Sequence, residues 1–416
     1  MRTTLKTICA AGAATFGIVC GAMTFTPASS WSLRLAGRIG FAQAAAFPFA
    51  FAVVALGVLA AIALWRLFAP VHRRKRQSGK SKALFSRSTT ICLAIWAIPS
   101  VVLAVDPNFG LQGDAHDETS AKSPARASAS QADARDGAKK VDSAKNDDGA
   151  KKGGFAKNED GANPRQTVSI VTWNAEDRGN AGDIGTLARR RDPDVIALPE
   201  YGDYREGSRT RLQNMLAKAG KNPEDYSIFE SLPTGEIAPT TLVVHKRLGE
   251  YRKVDAVKTT FGSVMLRPVG DRTSPAGDRT RPLILAVHTS PPLPGLMGDW
   301  RADISRLKAF MEKTSGPAIV VGDFNATLRH IGPVTGWMDA LAASGSRSGT
   351  WPSSAFSWIA SPIDHIFASG RAKASDVEVI KLRRSDHKAL AARVELGKSL
   401  EFQPYRGVFE VRNQLD

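Results

Sequence analysis

The stretch Pro317-Ala-Ile-Val-Val-Gly-Asp-Phe-Asn-Ala-Thr327 constrains this chain more than any other. An apolar run of strand length stops abruptly at a carboxylate and a carboxamide two residues apart. Side chains on a strand alternate faces, so Asp323 and Asn325 at its carboxyl end point the same way. Gly322, lacking a Cβ, permits a close approach to the backbone. Two oxygen ligands brought to one spot by a buried strand make a metal or phosphate site. The plainer alternative is a loop in which Asp and Asn only form turns, and the rest of the chain decides between them.

From Thr167 onward the hydrophobic pattern is that of a globular domain. Strands are predicted over 168–173, ending at Asn174, and over 195–198, ending at Glu200, with a short helix over 184–191 between them. A helix over 209–219 and strands over 226–230, 240–245 and 264–268 follow. The run 283–287 predicts a strand ending at His288, and an amphipathic helix from about 300 to 313 leads into the Pro317 strand. The last third is strand-rich, over 364–367, 377–382 and 389–396. Apolar strands thus end, or in one case begin, at Asn174, Glu200, His288, Asp323 with Asn325, and Asp364. Ser385-Asp-His387 adds Asp386 and His387 just before the last strand. Repeated so often, the coincidence argues that the strand ends meet along one rim.

Taken in order, Thr172-Trp-Asn174, Pro199-Glu200, Gly322-Asp-Phe-Asn325, Ile363-Asp364 and Ser385-Asp-His387 resemble the endonuclease/exonuclease/phosphatase superfamily, the deoxyribonuclease I-like enzymes. The resemblance covers about 167–396. It implies an α/β fold, a four-layer α/β/β/α sandwich of two packed sheets flanked by helices, with a divalent metal (Mg2+ or Mn2+) at the sheet edge. Magnesium takes oxygen ligands and retains water, so one or two carboxylates suffice. Glu200 is the foremost metal ligand on this reading, helped by Asn174 and Asp386. His387 titrates in the range a general base needs, and the resemblance assigns Asp364 to orient it. By the same resemblance Asp323 orients the attacking water and Asn325 holds a phosphate oxygen. His288, where the family carries His or Tyr, stabilises the transition state or protonates the leaving group. Each residue alone has an ordinary explanation, a solvated strand end or a surface histidine, and His288-Thr-Ser-Pro-Pro292 is the least specific string. His245, His330 and His365 are read as structural. Pro199 stands where many relatives carry Gln, which bears on a contact beside the metal.

The formal charge of +16 is unevenly spread along the 416 residues. Three uncharged apolar runs, 8–25, 39–65 and 88–105, approach or exceed the roughly 20 residues that a membrane-crossing helix needs. The first, with two basic residues before it and small residues after it, also fits a cleaved signal peptide. Between the second and third lies His72-Arg-Arg-Lys-Arg76 with Lys80, Lys82 and Arg87, and basic residues in short loops stay in the cytoplasm. The expected arrangement is a membrane anchor over 1–105 in a multi-pass cell-membrane protein, with everything after Val105 extracytoplasmic. Cys9, Cys20 and Cys92 all fall within apolar runs, so the exported part has no disulfide and no cysteine metal site.

Residues 106–166 turn to Ala, Lys, Asp, Ser and Gly, with Asp136-Gly-Ala-Lys-Lys140 recurring as Asp148-Gly-Ala-Lys-Lys152. Such a segment buries too little to offset the entropy of ordering and reads as a disordered tether; 397–416 is a carboxyl-terminal tail. Nucleases carry basic loops that track a phosphate backbone, and here Arg383-Arg384 is the clearest basic patch. The loop Pro291-Pro-Leu-Pro-Gly-Leu-Met297 is instead apolar and could rest against lipid. The expected partners are the lipid bilayer and a phosphate-ester substrate. A lipid-linked or membrane-proximal phosphate is favoured slightly over nucleic acid, and no motif points to an obligate protein partner. A non-catalytic sensor or scaffold would have lost part of the constellation, and none is lost.

Overall fold

The computed structural model describes residues 15, 18–20, 22–47, 102, 166–176, 181–202, 207–270 and 281–397. Two six-stranded mixed sheets form its centre. The first contains β1 (Thr167–Thr172), β2 (Val195–Leu198), β3 (Tyr226–Glu230), β4 (Thr241–His245), β11 (Lys373–Ile380) and β12 (Ala389–Glu395), in the order β11-β12-β1-β2-β4-β3. The second contains β5 (Tyr251–Val254), β6 (Ser263–Pro268), β7 (Leu283–His288), β8 (Ala318–Asp323), β9 (Trp337–Asp339) and β10 (Asp364–Ser369), in the order β5-β6-β7-β8-β10-β9.

Period-two alternation explains the layers. Val168, Ile170, Val195 and Ala197 of the first sheet face Ile284, Ala286, Ile319 and Val321 of the second in one central core. Their neighbours Val171, Ile196 and Leu198 turn outward and pack with Ile184, Leu187, Leu212 and Leu216. Those four belong to helices Ala181–Arg191, here α3, and Gly207–Lys218, α4. On the far side, Leu285, Val287 and Val320 meet Trp300, Leu307 and Met311 of α5 (Met297–Lys313). The strands are apolar on both faces because each sheet is covered twice.

The same topology collects the strand ends. β1 and β2 are parallel with α3 as the crossover, and β7 and β8 are parallel with α5 as the crossover. Two parallel strands joined by a helix end on the same edge. β12 runs antiparallel to β1, and β10 antiparallel to β8, so each of those strands begins on that edge. His288, Asp323 and Asp364 stand side by side in register across β7, β8 and β10.

The strands β5 and β9 were not expected. Both are short edge strands, and Arg252 and Lys253 give β5 no alternation to read. The helix expected from about 300 begins three residues earlier.

Within 39–65, residues Phe41–Ala46 form a six-residue helix, α2, that stops at Phe47. From residue 48 on, the span expected over 39–65 lies outside the described residues. Together with α1 (Ser30–Ala36), α2 packs on the domain, Ala42 being buried in the cluster around Trp300. The rest of the runs 39–65 and 88–105, apart from residue 102, lies outside the described residues, as do most of 8–25, the tether and the tail. No helix among the described residues is long and apolar enough to cross a membrane.

Candidate active site

The site residues stand at strand ends, and Asn174, His387 and Asp386 are each held by a group from the other sheet or its loops. Asn174 follows β1; its Nδ2 donates to Glu200 Oε1 at 2.9 Å and to Asp323 Oδ2 at 3.0 Å, so one amide joins the ends of β1, β2 and β8. Its Oδ1 accepts from Glu176 N at 3.0 Å. Glu200, Asn325 and Glu176 all have positive φ, at 51°, 44° and 49°. Left-handed backbone costs a non-glycine residue energy and persists where the surroundings over-determine it, commonly at functional sites. Gly322 does permit a close approach, and what approaches is the neighbouring strand. A Cβ there would lie 2.1 Å from Val287 O at a φ of 141°.

His387 and Asp364 form a buried pair, Nδ1 to Oδ2 at 2.9 Å. Thr350 Oγ1 accepts from Asp364 N at 3.2 Å, and Ser385 Oγ accepts from His387 N at 2.9 Å while donating to Asn174 O at 2.6 Å. Nε2 of His387 lies 3.6 Å from Asp323 Oδ2 and 3.9 Å from Asp386 Oδ1. Burial alone would lower the pKa of His387, but Asp364 and Asp323 outweigh it and push it up to about 10.

His288 is fully buried, with Nε2 3.5 Å from Glu200 Oε1 and 3.7 Å from Asp323 Oδ2 and no partner on Nδ1. Burial lowers its pKa to about 4, against the pull of Asp323. At neutral pH it is therefore an uncharged imidazole. Asp323 Oδ1 accepts from Asn325 N at 2.8 Å, and Asn325 Nδ2 donates to Thr289 O at 2.9 Å, leaving its second N–H uncommitted to that bond. Asp386 is the outermost residue of the set. Half of its side chain is exposed, and Oδ2 accepts from Trp351 Nε1 at 2.7 Å.

Three supporting residues escaped the sequence reading. Asp303, fully buried on α5, accepts from Ser290 N at 2.9 Å and from Thr260 N, and so fixes the loop after His288. A carboxylate on the apolar stripe of that helix was the available sign. Thr350 and Trp351 lie in a loop without pattern, and nothing local marks them. His330 and His365 are buried and bonded on both nitrogens. His365 joins Asp339 to Ala326 O, at 2.8 Å each.

A mixed two-sheet sandwich whose strand ends converge on carboxylates, carboxamides and imidazoles defines a hydrolase that works on charged, tetrahedral esters. The sequence profile of the Endonuclease/Exonuclease/phosphatase family matches residues 171–387, more than half of the chain. The chain belongs to that family and is a hydrolase of phosphate ester bonds. Among solved structures it is similar to an endonuclease/exonuclease/phosphatase from Bacteroides vulgatus (15% identity, TM-score 0.40, covering 56% of this chain and 100% of that one). Others are truncated Caenorhabditis elegans TDP2 (17%, 0.39, 55% and 98%) and the Bacteroides thetaiotaomicron mannosyl-6-phosphatase Bt3783 (15%, 0.37, 55% and 99%). No curated protein matches.

The donor set fits the divalent metal that the family implies. Burial raises the pKa of Glu200, with Asp323 adding to the rise and the Asn174 hydrogen bond opposing it. Burial likewise raises that of Asp323, with Asp364 adding to it. None of Glu200, Asp323 and Asp364 has a Lys or Arg partner among the described residues, and Asp364 Oδ1 is buried without a hydrogen bond. Such a pocket is short of positive charge, which a cation supplies. Asp323, Asp364 and His387 have potential ligand atoms within 4.8 Å of one another. A hard cation prefers oxygen to the imidazole, and His387 Nδ1 is already committed to Asp364. The oxygens of Glu200 and Asp323, with Asn174 beside them, are therefore the better donors.

Proposed function

We propose that the chain is a membrane-anchored, extracytoplasmic, divalent-metal-dependent phosphoesterase acting on a lipid-linked or membrane-proximal phosphate. The observation that carries the catalytic part is the His387–Asp364 pair, lying beside a cluster of carboxylates with no Lys or Arg partner among the described residues. A bound Mg2+ or Mn2+, held by Glu200 with Asn174, Asp323 or Asp386, would neutralise a phosphate oxygen and offset that surplus charge.

The side chains do the rest. Asp364 fixes the tautomer of His387, keeping Nδ1–H towards itself and Nε2 towards the site, as an orienting carboxylate does in a triad. The surplus of carboxylates holds the pKa of His387 at about 10, where Nε2 keeps a proton; with Asp364 and Asp323 offset by a cation, that value would fall and leave Nε2 free to act as base. Water then forms a bond to phosphorus, gives its proton to Nε2, and the ester bond to the leaving oxygen breaks. Asp323 orients the water, the free N–H of Asn325 holds a phosphate oxygen, and uncharged His288 donates a hydrogen bond to charge developing in the transition state. Support for the anchor and its topology comes from the apolar runs around a basic loop.

The test is turnover by the full chain on nucleic acids, phospholipids, prenyl pyrophosphates and inositol phosphates. Chelator is expected to abolish hydrolysis and magnesium or manganese to restore it. Undiminished activity in excess chelator overturns the metal assignment, and hydrolysis confined to nucleic acid overturns the lipid preference.

A further inference from the structure

Residues 30–47, which lead into the uncharged run 48–65, are seated on the catalytic rim. His330 Nε2 donates to Ala42 O at 2.9 Å, Gln43 Nε2 to Pro292 O at 2.9 Å, and Arg301 Nη1 to Gly37 O at 3.0 Å. Leu33 lies over Gly332. Phe47 then rests against Trp351, ring centroids 5.8 Å apart, and Trp351 holds Asp386. Directly after Phe47 the sequence runs through residues 48–65 without a charge. Eighteen helical residues would span about 27 Å, close to the hydrocarbon thickness of a bilayer.

Contact between 30–47 and the domain also puts both on one side of any membrane, so the chain between Phe47 and Gln166 must cross an even number of times. On the membrane-anchored reading, the runs 48–65 and 88–105, with the basic loop between them, would supply two crossings. On the same rim the loop after Trp351 is tied to the site by Ser353 Oγ, which donates to Ser385 O, and by Lys388 Nζ, which donates to Ala355 O. That loop presents Phe356, 71% exposed, and Trp358, 52% exposed, stacked at 5.9 Å and 11°. Leu293, beside Pro292, is 52% exposed. Aromatic and aliphatic side chains left in water so close to an exit into apolar sequence match an interfacial surface.

We propose that residues 30–47 seat the mouth of the site on the bilayer, so that Phe356, Trp358 and Leu293 rest among lipid headgroups and the phosphate ester hydrolysed is that of a lipid in the same leaflet. The inference rests on the reading of the chain as a membrane-anchored phosphoesterase and adds the face, the seat and the substrate's location.

The full chain reconstituted in phosphatidylcholine vesicles with brominated acyl chains tests it. The difference in tryptophan fluorescence between the native chain and Trp358→Phe isolates Trp358, and Trp65→Phe with Trp96→Phe isolates the apolar runs. Trp358 is expected to lose at least half of its emission to bromolipid, and to recover most of it in the Leu33→Asp, Gln43→Ala variant. That variant should hydrolyse phosphatidic acid or phosphatidylglycerol in vesicles at least tenfold more slowly, while turning over short-chain, water-soluble forms at the native rate. The soluble rate and the thermal melt show that it remains folded. Quenching of Trp65 and Trp96 without Trp358 overturns the seat and leaves the anchor standing. Quenching of none overturns the anchor as well. A response of Trp358 to a single-stranded oligonucleotide in place of bromolipid assigns the surface to nucleic acid and overturns the proposal.

Discussion

At the scale of single residues, the site is a set of groups that cannot be removed independently. On the proposed mechanism His387 would accept a proton only while Asp364 holds its ring, so His387→Ala and Asp364→Asn should each lower turnover by roughly a hundredfold or more. The double variant should be little worse than His387→Ala, because groups that share one step give non-additive losses. Steady-state rates of the four proteins decide this, and losses that multiply would mean that the two residues act separately. Gly322 stands at the other extreme, a residue with no chemistry of its own. Its φ of 141° and the Val287 carbonyl 2.1 Å from a built Cβ leave no room for a side chain between β7 and β8. Gly322→Ala should cost about 3 kcal/mol or more in a denaturant titration, since the atom it meets is backbone. The sequence suggested a close approach here. Only the register His288↔Asp323 showed that the approaching group is a parallel strand.

At the scale of elements, the loop after β8 and the amino-terminal helices depend on one another. Helix α6 (Leu328–Ile331) ends that loop, and His330 in it accepts from Thr327 N at 2.8 Å through Nδ1 while Nε2 serves Ala42 O. Both nitrogens are engaged only in the neutral form, and burial lowers the pKa to about 4 from an ordinary 6.5. Below pH 6.5 the unfolded chain therefore binds a proton that the folded chain refuses. The stability tied to this residue is complete above about pH 6.5 and is lost as the pH falls towards 4, on the order of 3 kcal/mol in all. Urea titrations between pH 7 and 4 should show a steeper loss for the native chain than for His330→Asn; equal slopes would refute the assignment. His330 reads in the sequence as structural, but with no partner to name. Its partner lies 288 residues away in the chain, beyond any local pattern.

For the whole molecule, the expected topology has a consequence that can be checked without a substrate. If the domain and residues 30–47 share one face of a membrane, the Arg73 to Arg87 loop lies on the other. Protease added to intact cells, after any outer barrier is opened, should cut the tether and release a fragment carrying the family domain while sparing the basic loop. Protection of the domain alongside digestion of a control exterior protein would refute the arrangement. The tether, rich in Lys and poor in apolar residues, offers many cleavage points. The boundary at Thr167 marks where the globular pattern resumes, yet the folded unit also takes in α1 and α2. Their short, small-residue sequences carry too little periodicity to announce a docking face.

The sequence by itself determined which runs become buried strands, that chemistry-bearing residues stand at their ends, and which family they spell out in order. These are local properties: alternation sets the faces, and an apolar run that stops at a carboxylate sets an edge. The tertiary structure alone decided that Asn174 bridges Glu200 and Asp323, that Trp351 and Thr350 hold Asp386 and Asp364, and that Ala42 closes on His330. Each of those contacts joins elements far apart in the chain, and which loops meet depends on strand order and on how the two sheets pack. No window of a dozen residues contains that information.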